Sequence, residues 1–164
     1  MDRDPDNKQQ VAYQGETDHN GNPHGRGAMA FEDGTIYSGN WQEGKMKGFG
    51  TMKLREGGIS TGEWVNDHLD GFGLTAYPGG DQLMGQWQGS TLEGYSIMTF
   101  RDGRKYVGQC KKGSMHGYGI LQGADGEIVQ GQFENGQLHG WCTVTTADGK
   151  IISGHWEHGK RVKD

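Results

Sequence analysis

Histidine and cysteine are the residue types in this chain that could bind a metal ion or act as acid, base or nucleophile. The 164 residues include seven histidines and two cysteines. A zinc site needs several such side chains around one ion, with nitrogen ligands about 2.0–2.1 Å from the metal. His116 and His139 stand 23 residues apart, and Cys110 and Cys142 stand 32 residues apart. Whether they meet therefore depends on the elements that carry them.

A second candidate site is a group of basic residues that would suit an anionic membrane surface. Five of the sixteen lysines and arginines fall within twelve positions: Arg101, Arg104, Lys105, Lys111 and Lys112. Near an anionic bilayer, each basic residue contributes about 1 kcal/mol of attraction. If these residues share one edge of the fold, they form a phosphoinositide contact. The formal net charge of −5 weakens that alternative and argues against a nucleic-acid partner.

The elements that carry these residues follow a 23-residue period. From Tyr37 onward, the pattern Tyr-X-Gly-X-Trp-X-X-Gly-X-X-X-Gly-X-Gly returns without insertion as far as Gly159. Repeats begin near residues 13, 37, 60, 83, 106 and 129, and a half-repeat begins at 152. Periods of this length indicate a repeat array. We predict an array over residues 13–159, a flexible polar tail at 1–12 and a C-terminal tail at 160–164.

Each repeat has the signals of one β-hairpin. Two X-Gly pairs per repeat, such as Glu43-Gly44 and Asp33-Gly34, supply the positive φ values that tight turns need. The segments between them alternate in polarity, as half-buried strands do. We predict an all-β fold: an elongated, twisted, single-layer antiparallel meander of β-hairpin repeats, with about 13 strands at roughly 4.8 Å spacing.

This meander would keep the reactive side chains apart. Equivalent residues of adjacent repeats are separated by two strand spacings, about 10 Å, and Cys110 and Cys142 by three, about 14 Å. A disulfide needs Cα atoms within about 7 Å of each other. We therefore expect solvated histidines and free thiols, with no metal site, no cofactor and no catalytic residue.

The alternation also predicts two different faces. On one face, Trp41, Trp64, Trp87 and Trp156 stabilise the fold by packing over paired glycines. The opposite face carries an aromatic ladder with aliphatic neighbours, and this set is the predicted partner-binding surface: Phe49, Phe72, Leu74, Tyr95, Ile97, Tyr118, Ile120 and Trp141. Exposed apolar patches mark interaction sites. The alternative is that these rings pack on one another and on a curved sheet.

The repeated pattern resembles the MORN repeat (membrane occupation and recognition nexus) over residues 13–159, with 37–59 as the closest copy. The resemblance implies an elongated single-layer β-sheet with a groove and no catalytic activity from the repeats. It also implies roles in scaffolding, self-association, and phosphoinositide or membrane contact. Cys110 departs from the pattern at the tryptophan position, and Ser96 and Cys142 depart from it at the second glycine of the Gly-X-Gly pair.

A narrower similarity concerns residues 21–25 and 64–73. They resemble the N-terminal MORN region of a SET-domain histone lysine methyltransferase, whose catalytic domain has no counterpart here. That resemblance implies a regulatory or substrate-presenting arm as an alternative function.

The functional prediction is a non-enzymatic protein–protein interaction scaffold. It would bind an extended or helical segment of a partner protein along an aromatic-lined groove. Self-association through terminal repeats is a further expectation, because free sheet edges can pair. The polar, acidic first residues and the lack of a long apolar run predict a cytoplasmic protein, associated with cytoskeleton or membrane through a partner.

Overall fold

The computed structural model describes residues 9–162, and every regular element within them is a β-strand. The strands are β1 Gln10–Thr17, β2 Pro23–Phe31, β3 Ile36–Gln42, β4 Lys45–Lys53, β5 Ile59–Val65, β6 His68–Ala76, β7 Gln82–Gln88, β8 Thr91–Thr99, β9 Lys105–Lys111, β10 Ser114–Gln122, β11 Ile128–Glu134, β12 Gln137–Thr145, β13 Ile151–Glu157 and β14 Lys160–Arg161. This confirms the predicted all-β fold built from hairpin repeats.

The chain divides into two compact units, with the boundary between Pro78 and Gly79. The N-terminal unit contains β1 to β6, and the C-terminal unit contains β7 to β14. Within each unit, every strand pairs antiparallel with its neighbours in the sequence. Each unit is therefore an antiparallel meander.

From β3 onward, two-residue turns join the two strands of each repeat. In the turn after β3, Glu43 has φ 50° and Gly44 has φ 80°, so both residues are left-handed. Asn66 and Asp67 adopt the same conformation without any glycine, at φ 47° and 72°. Turns with two left-handed residues match the right-handed twist of the flanking strands, which is why they close tight hairpins. The Asp67 carboxylate also accepts the backbone N–H of Met46 at 2.8 Å.

A second kind of turn leads from one repeat to the next. After β2, the N–H of Gly34 donates to the carbonyl of Phe31 at 2.9 Å, with Gly34 at φ 84°. The Asp33 carboxylate accepts the N–H of Thr35 at 2.8 Å. Aspartate supports such turns because its side chain can bond to the backbone two residues on.

The second strand of each hairpin contains a β-bulge. Gly39 pairs with Gly50, but Trp41 pairs with Met46, so β4 has two more residues than β3 across this interval. Gly48 lies inside the bulge at φ 90°, a conformation that L side chains rarely adopt. The first glycine of each Gly-X-Gly pair is thus explained by backbone conformation.

One face of each sheet holds the core. In the N-terminal unit, Tyr37 is completely buried, and its ring meets Trp41 and Trp64 edge to face at centroid distances of 5.1 and 5.4 Å. In the C-terminal unit, Tyr106 is also completely buried and meets Phe133 at 5.3 Å. Edge-to-face contacts of this kind add to the free energy gained by burying the rings.

The paired glycines make room for tyrosine rather than for tryptophan, which corrects the prediction. A Cβ placed on Gly50 would overlap the hydroxyl and ring of Tyr37, the residue that begins the same repeat. Gly119 lies in the same way beneath Tyr106. The tryptophans instead use their indole N–H, which Trp41 donates to the carbonyl of Gly27 at 3.1 Å and Trp64 to that of Gly50 at 3.0 Å.

The ends of the array differ from the predicted boundaries. β1 begins at Gln10, inside the segment predicted as a tail, because its backbone pairs with β2. Lys160 and Arg161 pair with β13, which gives fourteen strands rather than about thirteen. Of the two predicted tails, residues 1–8 and 163–164 lie outside the described residues, residue 9 precedes β1 and residue 162 follows β14.

Candidate functional site

The open face, which is the side of each sheet opposite its core, carries the predicted aromatic ladder. In the N-terminal unit, Phe49 is 66% exposed and Phe72 is 58% exposed. In the C-terminal unit, Tyr95 is 69%, Tyr118 57% and Trp141 61% exposed. Each ring therefore leaves more than half of its surface in solvent. The rings are therefore not packed on one another, as the alternative interpretation of the sequence required.

The aliphatic members of the predicted surface are less uniform. Ile120 is 44% exposed, whereas Leu74 and Ile97 are half-buried. Val107, which is not a member of the predicted surface, pairs with both Ile97 and Ile120 and is 46% exposed. The apolar strip beside the aromatic rings of the C-terminal unit thus includes Val107.

The backbone at the exposed rings is held by a side chain from the preceding strand. The Oε1 atom of Gln109 accepts the N–H of Tyr118 at 2.9 Å, and that of Gln132 accepts the N–H of Trp141 at 3.3 Å. Glu16 accepts the N–H of Arg26 in the same way at 3.1 Å. These residues recur at one polar position of the repeat, directly after the glycine of the first strand. That recurrence is the signal in the sequence from which their role could have been inferred.

In the N-terminal unit, the open face forms two shallow grooves on either side of Phe49. One has a volume of about 460 Å³ and lies between Phe49 and Phe72, with lining residues that include Thr51, Thr61 and Leu74. Thr51 and Thr61 hydrogen-bond to each other at 2.8 Å across the strand pair. The other groove, of about 420 Å³, lies on the side of Arg26. Both grooves are open, and their linings are largely apolar.

In the C-terminal unit, the exposed rings alternate with glutamines. Tyr95 pairs with Gln109 and Tyr118 pairs with Gln132 across neighbouring strands. The aromatic line is defined here as Tyr95, Gln109, Tyr118, Gln132 and Trp141, which lie on β8, β9, β10, β11 and β12. Successive rings are two strand spacings apart, about 9.6 Å.

The basic residues do not share one edge, which was the condition for the phosphoinositide alternative. Lys105 begins β9 and Lys111 ends it, which separates them by about 20 Å along the strand. Arg104 is paired with Asp102, Nε to Oδ2 at 2.8 Å, and its guanidinium lies 4.8 Å from the centroid of the Phe100 ring. Arg101 and Lys112 are exposed and lie on opposite sides of β9 in the sequence.

Among residues 9–162, no group of three or more His, Cys, Asp or Glu side chains is arranged to hold a metal ion. His139 contacts His158 at a ring-centroid distance of 5.6 Å, and its Nε2 lies 3.4 Å from the Glu134 carboxylate. This contact was not predicted, because it joins one repeat to the turn of the next.

Both cysteines are buried free thiols on the core side. Burial raises the pKa of the Cys110 thiol and of the Cys142 thiol, so the neutral form is favoured at both. Cys110 stands at the tryptophan position, whereas Cys142 donates its S–H to the carbonyl of Gln132 at 3.4 Å.

No helix of membrane-spanning length and hydrophobicity occurs in the part of the chain that the structure describes.

Five stretches of the sequence match the MORN repeat: residues 19–36, 37–59, 61–82, 106–128 and 130–151. Together they cover more than half of the chain. The chain belongs to the MORN repeat family. The MORN repeats account for the 23-residue period and for the hairpins of both units. The copy at 83–105 lies outside the matched stretches, yet β7 and β8 form a hairpin with the same bulge.

Several solved structures align with this chain. The TCP domain of Drosophila melanogaster SAS-4, solved in complex with a proline-rich motif of Ana2, aligns with a TM-score of 0.50 at 15% identity, over 86% of this chain and 76% of that one. The CPAP G-box domain gives 0.38 at 14% identity, over 93% and 96%. The TCP10 domain of Danio rerio CPAP gives 0.29 at 11% identity, over 92% and 91%. A comparison with curated proteins found no match.

Proposed function

We propose that this MORN-repeat chain is a protein-binding scaffold whose open face holds a segment of a partner protein against the exposed aromatic residues. One observation carries the proposal: five aromatic side chains at one position of the repeat each leave more than half of their surface in solvent, while the core lies on the other face. Aromatic side chains with apolar neighbours dominate the energetics of protein interfaces.

The free energy available from these rings is sufficient for a specific contact. Burial of apolar surface contributes about 25 cal/mol per Å², and fully burying a large apolar side chain contributes roughly 1.5–3 kcal/mol. Two or three rings of one unit therefore supply several kcal/mol toward the cost of association. The shallow grooves beside Phe49 would let a ligand contact the glycine-rich backbone as well as the rings.

The fold comparison supports a binding role. The SAS-4 TCP domain, which shares the fold at 15% identity, was solved with a proline-rich motif of another protein. It provides a precedent for a repetitive antiparallel sheet that takes a peptide ligand. The residues proposed here as the binding surface are those of this chain alone.

The experiment is selection of a random dodecapeptide phage library on the full chain, followed by anisotropy titrations of the selected peptides. Two double variants test the two units separately: Phe49→Ser with Phe72→Ser, and Tyr95→Ser with Tyr118→Ser. We expect at least one of them to weaken binding about 100-fold, as loss of two interface hot spots would. Val11→Ser is the control, since Val11 is 66% exposed on β1 and away from the rings.

Thermal denaturation of every variant accompanies the titrations, to show that each one folds. Selection that yields no saturable ligand would contradict the proposal. So would ligands whose affinity survives in both double variants, because they would bind elsewhere on the molecule.

A further inference from the structure

We propose that the ligand of the C-terminal unit is a polyproline II helix that runs across the strands along the aromatic line. This inference rests on the proposed function and specifies the partner as a proline-rich segment with uncharged side chains at its contact positions. Three properties of the line support it: its period, its hydrogen-bond donors and its lack of charge.

The period of the rings matches the pitch of a polyproline II helix. Tyr95, Tyr118 and Trp141 lie on every second strand, so the backbone positions that carry neighbouring rings are about 9.6 Å apart. Three residues of a polyproline II helix advance about 9.3 Å along its axis. Every third residue of the ligand can therefore contact successive rings in the same way. Over the two intervals of the line, the mismatch accumulates to only about 0.6 Å.

Other extended or helical ligands fit this period less well. Seven residues of an α-helix advance about 10.5 Å, so the mismatch over two intervals is about 1.8 Å. A β-strand presents side chains to one face every 6.6–6.8 Å, which does not match the ring spacing. A polyproline II segment of seven residues reaches all three rings in one register.

Hydrogen-bond donors lie between the rings. A backbone N–H can be accepted only by the oxygen of a carboxamide, so the bonds from Tyr118 and Trp141 fix the orientation of Gln109 and Gln132. The Nε2 groups of both glutamines are therefore directed away from those bonds and are available as donors. A polyproline II helix has no internal hydrogen bonds and presents its carbonyls to such donors.

The line is electrically neutral, and this restricts the ligand further. Tyr95, Gln109, Tyr118, Gln132 and Trp141 are all uncharged. A charged ligand side chain placed against this line would lose hydration without gaining a counter-charge, which is costly. In the N-terminal unit, two of the equivalent positions carry charged residues. Arg26 pairs with Asn40, and Glu63 pairs with Phe49. The neutral proline-rich ligand is thus assigned to the C-terminal unit.

The test is an anisotropy titration of rhodamine-labelled decaproline with the full chain. A rhodamine-labelled (Gly-Ser)5 peptide of equal length is the conformational control, because it does not form a stable polyproline II helix. We expect saturable binding of decaproline alone, and at least a 10-fold loss of affinity in Tyr118→Ser.

A second variant isolates the donors. Gln109→Glu with Gln132→Glu keeps the oxygen that accepts the backbone N–H and removes the Nε2 donor. Glutamate is compatible with the fold at this position, since Glu63 occupies it in the N-terminal unit. We expect an unchanged melting temperature and a decaproline affinity at least 5-fold weaker. Gln130→Glu is the matched charge control, because Gln130 is exposed on β11 but lies outside the line.

The outcomes separate this inference from the proposed function. If phage-selected peptides bind the open face but decaproline binds no better than (Gly-Ser)5, the polyproline assignment is wrong and the scaffold function stands. Decaproline binding that survives in Tyr118→Ser also overturns the assignment. If neither decaproline nor any selected peptide binds, both proposals fail together.

Discussion

The tyrosine that begins a repeat and the second glycine of its Gly-X-Gly pair occupy one shared space in the core. Tyr37 covers Gly50, and Tyr106 covers Gly119. In two of the three full repeats that replace the tyrosine, the glycine is replaced as well: the pairs are Leu83 with Ser96 and Val129 with Cys142, whereas Ser60 is combined with Gly73. Ser96 and Cys142 are both buried, so each occupies core space at the position where the other repeats have a glycine.

Cys142 also replaces the tyrosine chemically. The hydroxyl of Tyr37 donates to the carbonyl of Asn40 at 3.1 Å, and that of Tyr106 donates to the carbonyl of Gln109 at 2.5 Å. At the equivalent carbonyl, of Gln132, the donor is the Cys142 thiol. The two departures of this repeat from the family pattern therefore compensate each other.

We expect Gly50→Ser to destabilise the protein by about 2–3 kcal/mol, because the new side chain would overlap the Tyr37 ring. Adding Tyr37→Leu reproduces the Leu83–Ser96 pair and should recover part of the loss. Urea denaturation of the four proteins in this double-mutant cycle gives the coupling energy, expected to be at least about 1 kcal/mol.

Gly79→Ser is the control for this cycle, because the space around Gly79 is open. It should change the free energy of unfolding by less than about 0.5 kcal/mol. If Gly50→Ser behaved like Gly79→Ser, the steric explanation of the second glycine would be wrong.

Burial raises the pKa of Tyr37 to about 12, from an ordinary value of 10.0. The folded protein therefore keeps this proton between pH 10 and 12, where the unfolded chain loses it. The resulting stability is fully present below pH 10 and falls as pH rises, by at most about 1.4 kcal/mol per pH unit. In the Tyr37→Phe variant this position has no ionisable group, so this contribution to the pH dependence is absent.

The measurement is urea denaturation of wild type and Tyr37→Phe between pH 9 and 11.5. The difference in unfolding free energy between the two proteins should be constant up to pH 10 and should then shift against the wild type. Parallel curves over the whole range would show that Tyr37 titrates at its ordinary pKa.

At the scale of the elements, the two faces of each hairpin have different roles. Trp64 on β5 is 4% exposed and bonds to the carbonyl of Gly50, whereas Trp141 on β12 is 61% exposed. We expect Trp64→Ala to cost roughly 3–5 kcal/mol, as truncation of a buried aromatic residue does. Trp141→Ala should cost less than about 1 kcal/mol.

Thermal and urea denaturation of both variants provide the comparison. Both variants replace tryptophan by alanine. A difference between their losses of stability therefore reflects which face of the sheet the ring occupies, and not the size of the side chain. Equal losses of stability would mean that the ring of Trp141 is packed rather than exposed.

The hairpins were predictable because their signals are local. The X-Gly pairs and the polarity alternation lie within a few residues of each turn, and the parity of the strands separates Phe49 from Trp41. The bulge was not predictable, since it arises from the register between β3 and β4. The contact of His139 with His158 was missed for the same reason, because it joins a strand of one repeat to the turn of the next. The support of Tyr118 by Gln109 also joins two strands, and only its recurrence in other repeats signals it in the sequence.

At the scale of the whole molecule, the stability of each repeat depends on its contacts with the adjacent repeats rather than on a central core. In repeat proteins stability is approximately a sum of repeat terms and nearest-neighbour terms. Within the described residues of the N-terminal unit, β1 lies at the end of the strand order and pairs with β2, whereas β3 pairs with β2 and β4. All of β1 except Tyr13 is solvent-exposed.

We expect amide hydrogen exchange to be fastest in β1 and slower in β3, because opening an edge strand breaks one interface and opening an inner strand breaks two. Exchange followed by mass spectrometry of peptides from residues 10–17 and 36–42 measures the gradient. Equal protection of the two peptides would indicate that the N-terminal unit opens only as a whole.

The hydrogen bonds from Glu16, Gln109 and Gln132 have an evolutionary consequence. They hold the backbone of Arg26, Tyr118 and Trp141 in the same way, although the first side chain is a cation and the other two are aromatic. The fold therefore does not select the residue at that position, and a single codon change there can alter what the surface recognises while the stability of the array is retained. A family built on this hairpin can acquire new partners by exchanging one side chain per repeat, and the same freedom is open to protein engineering.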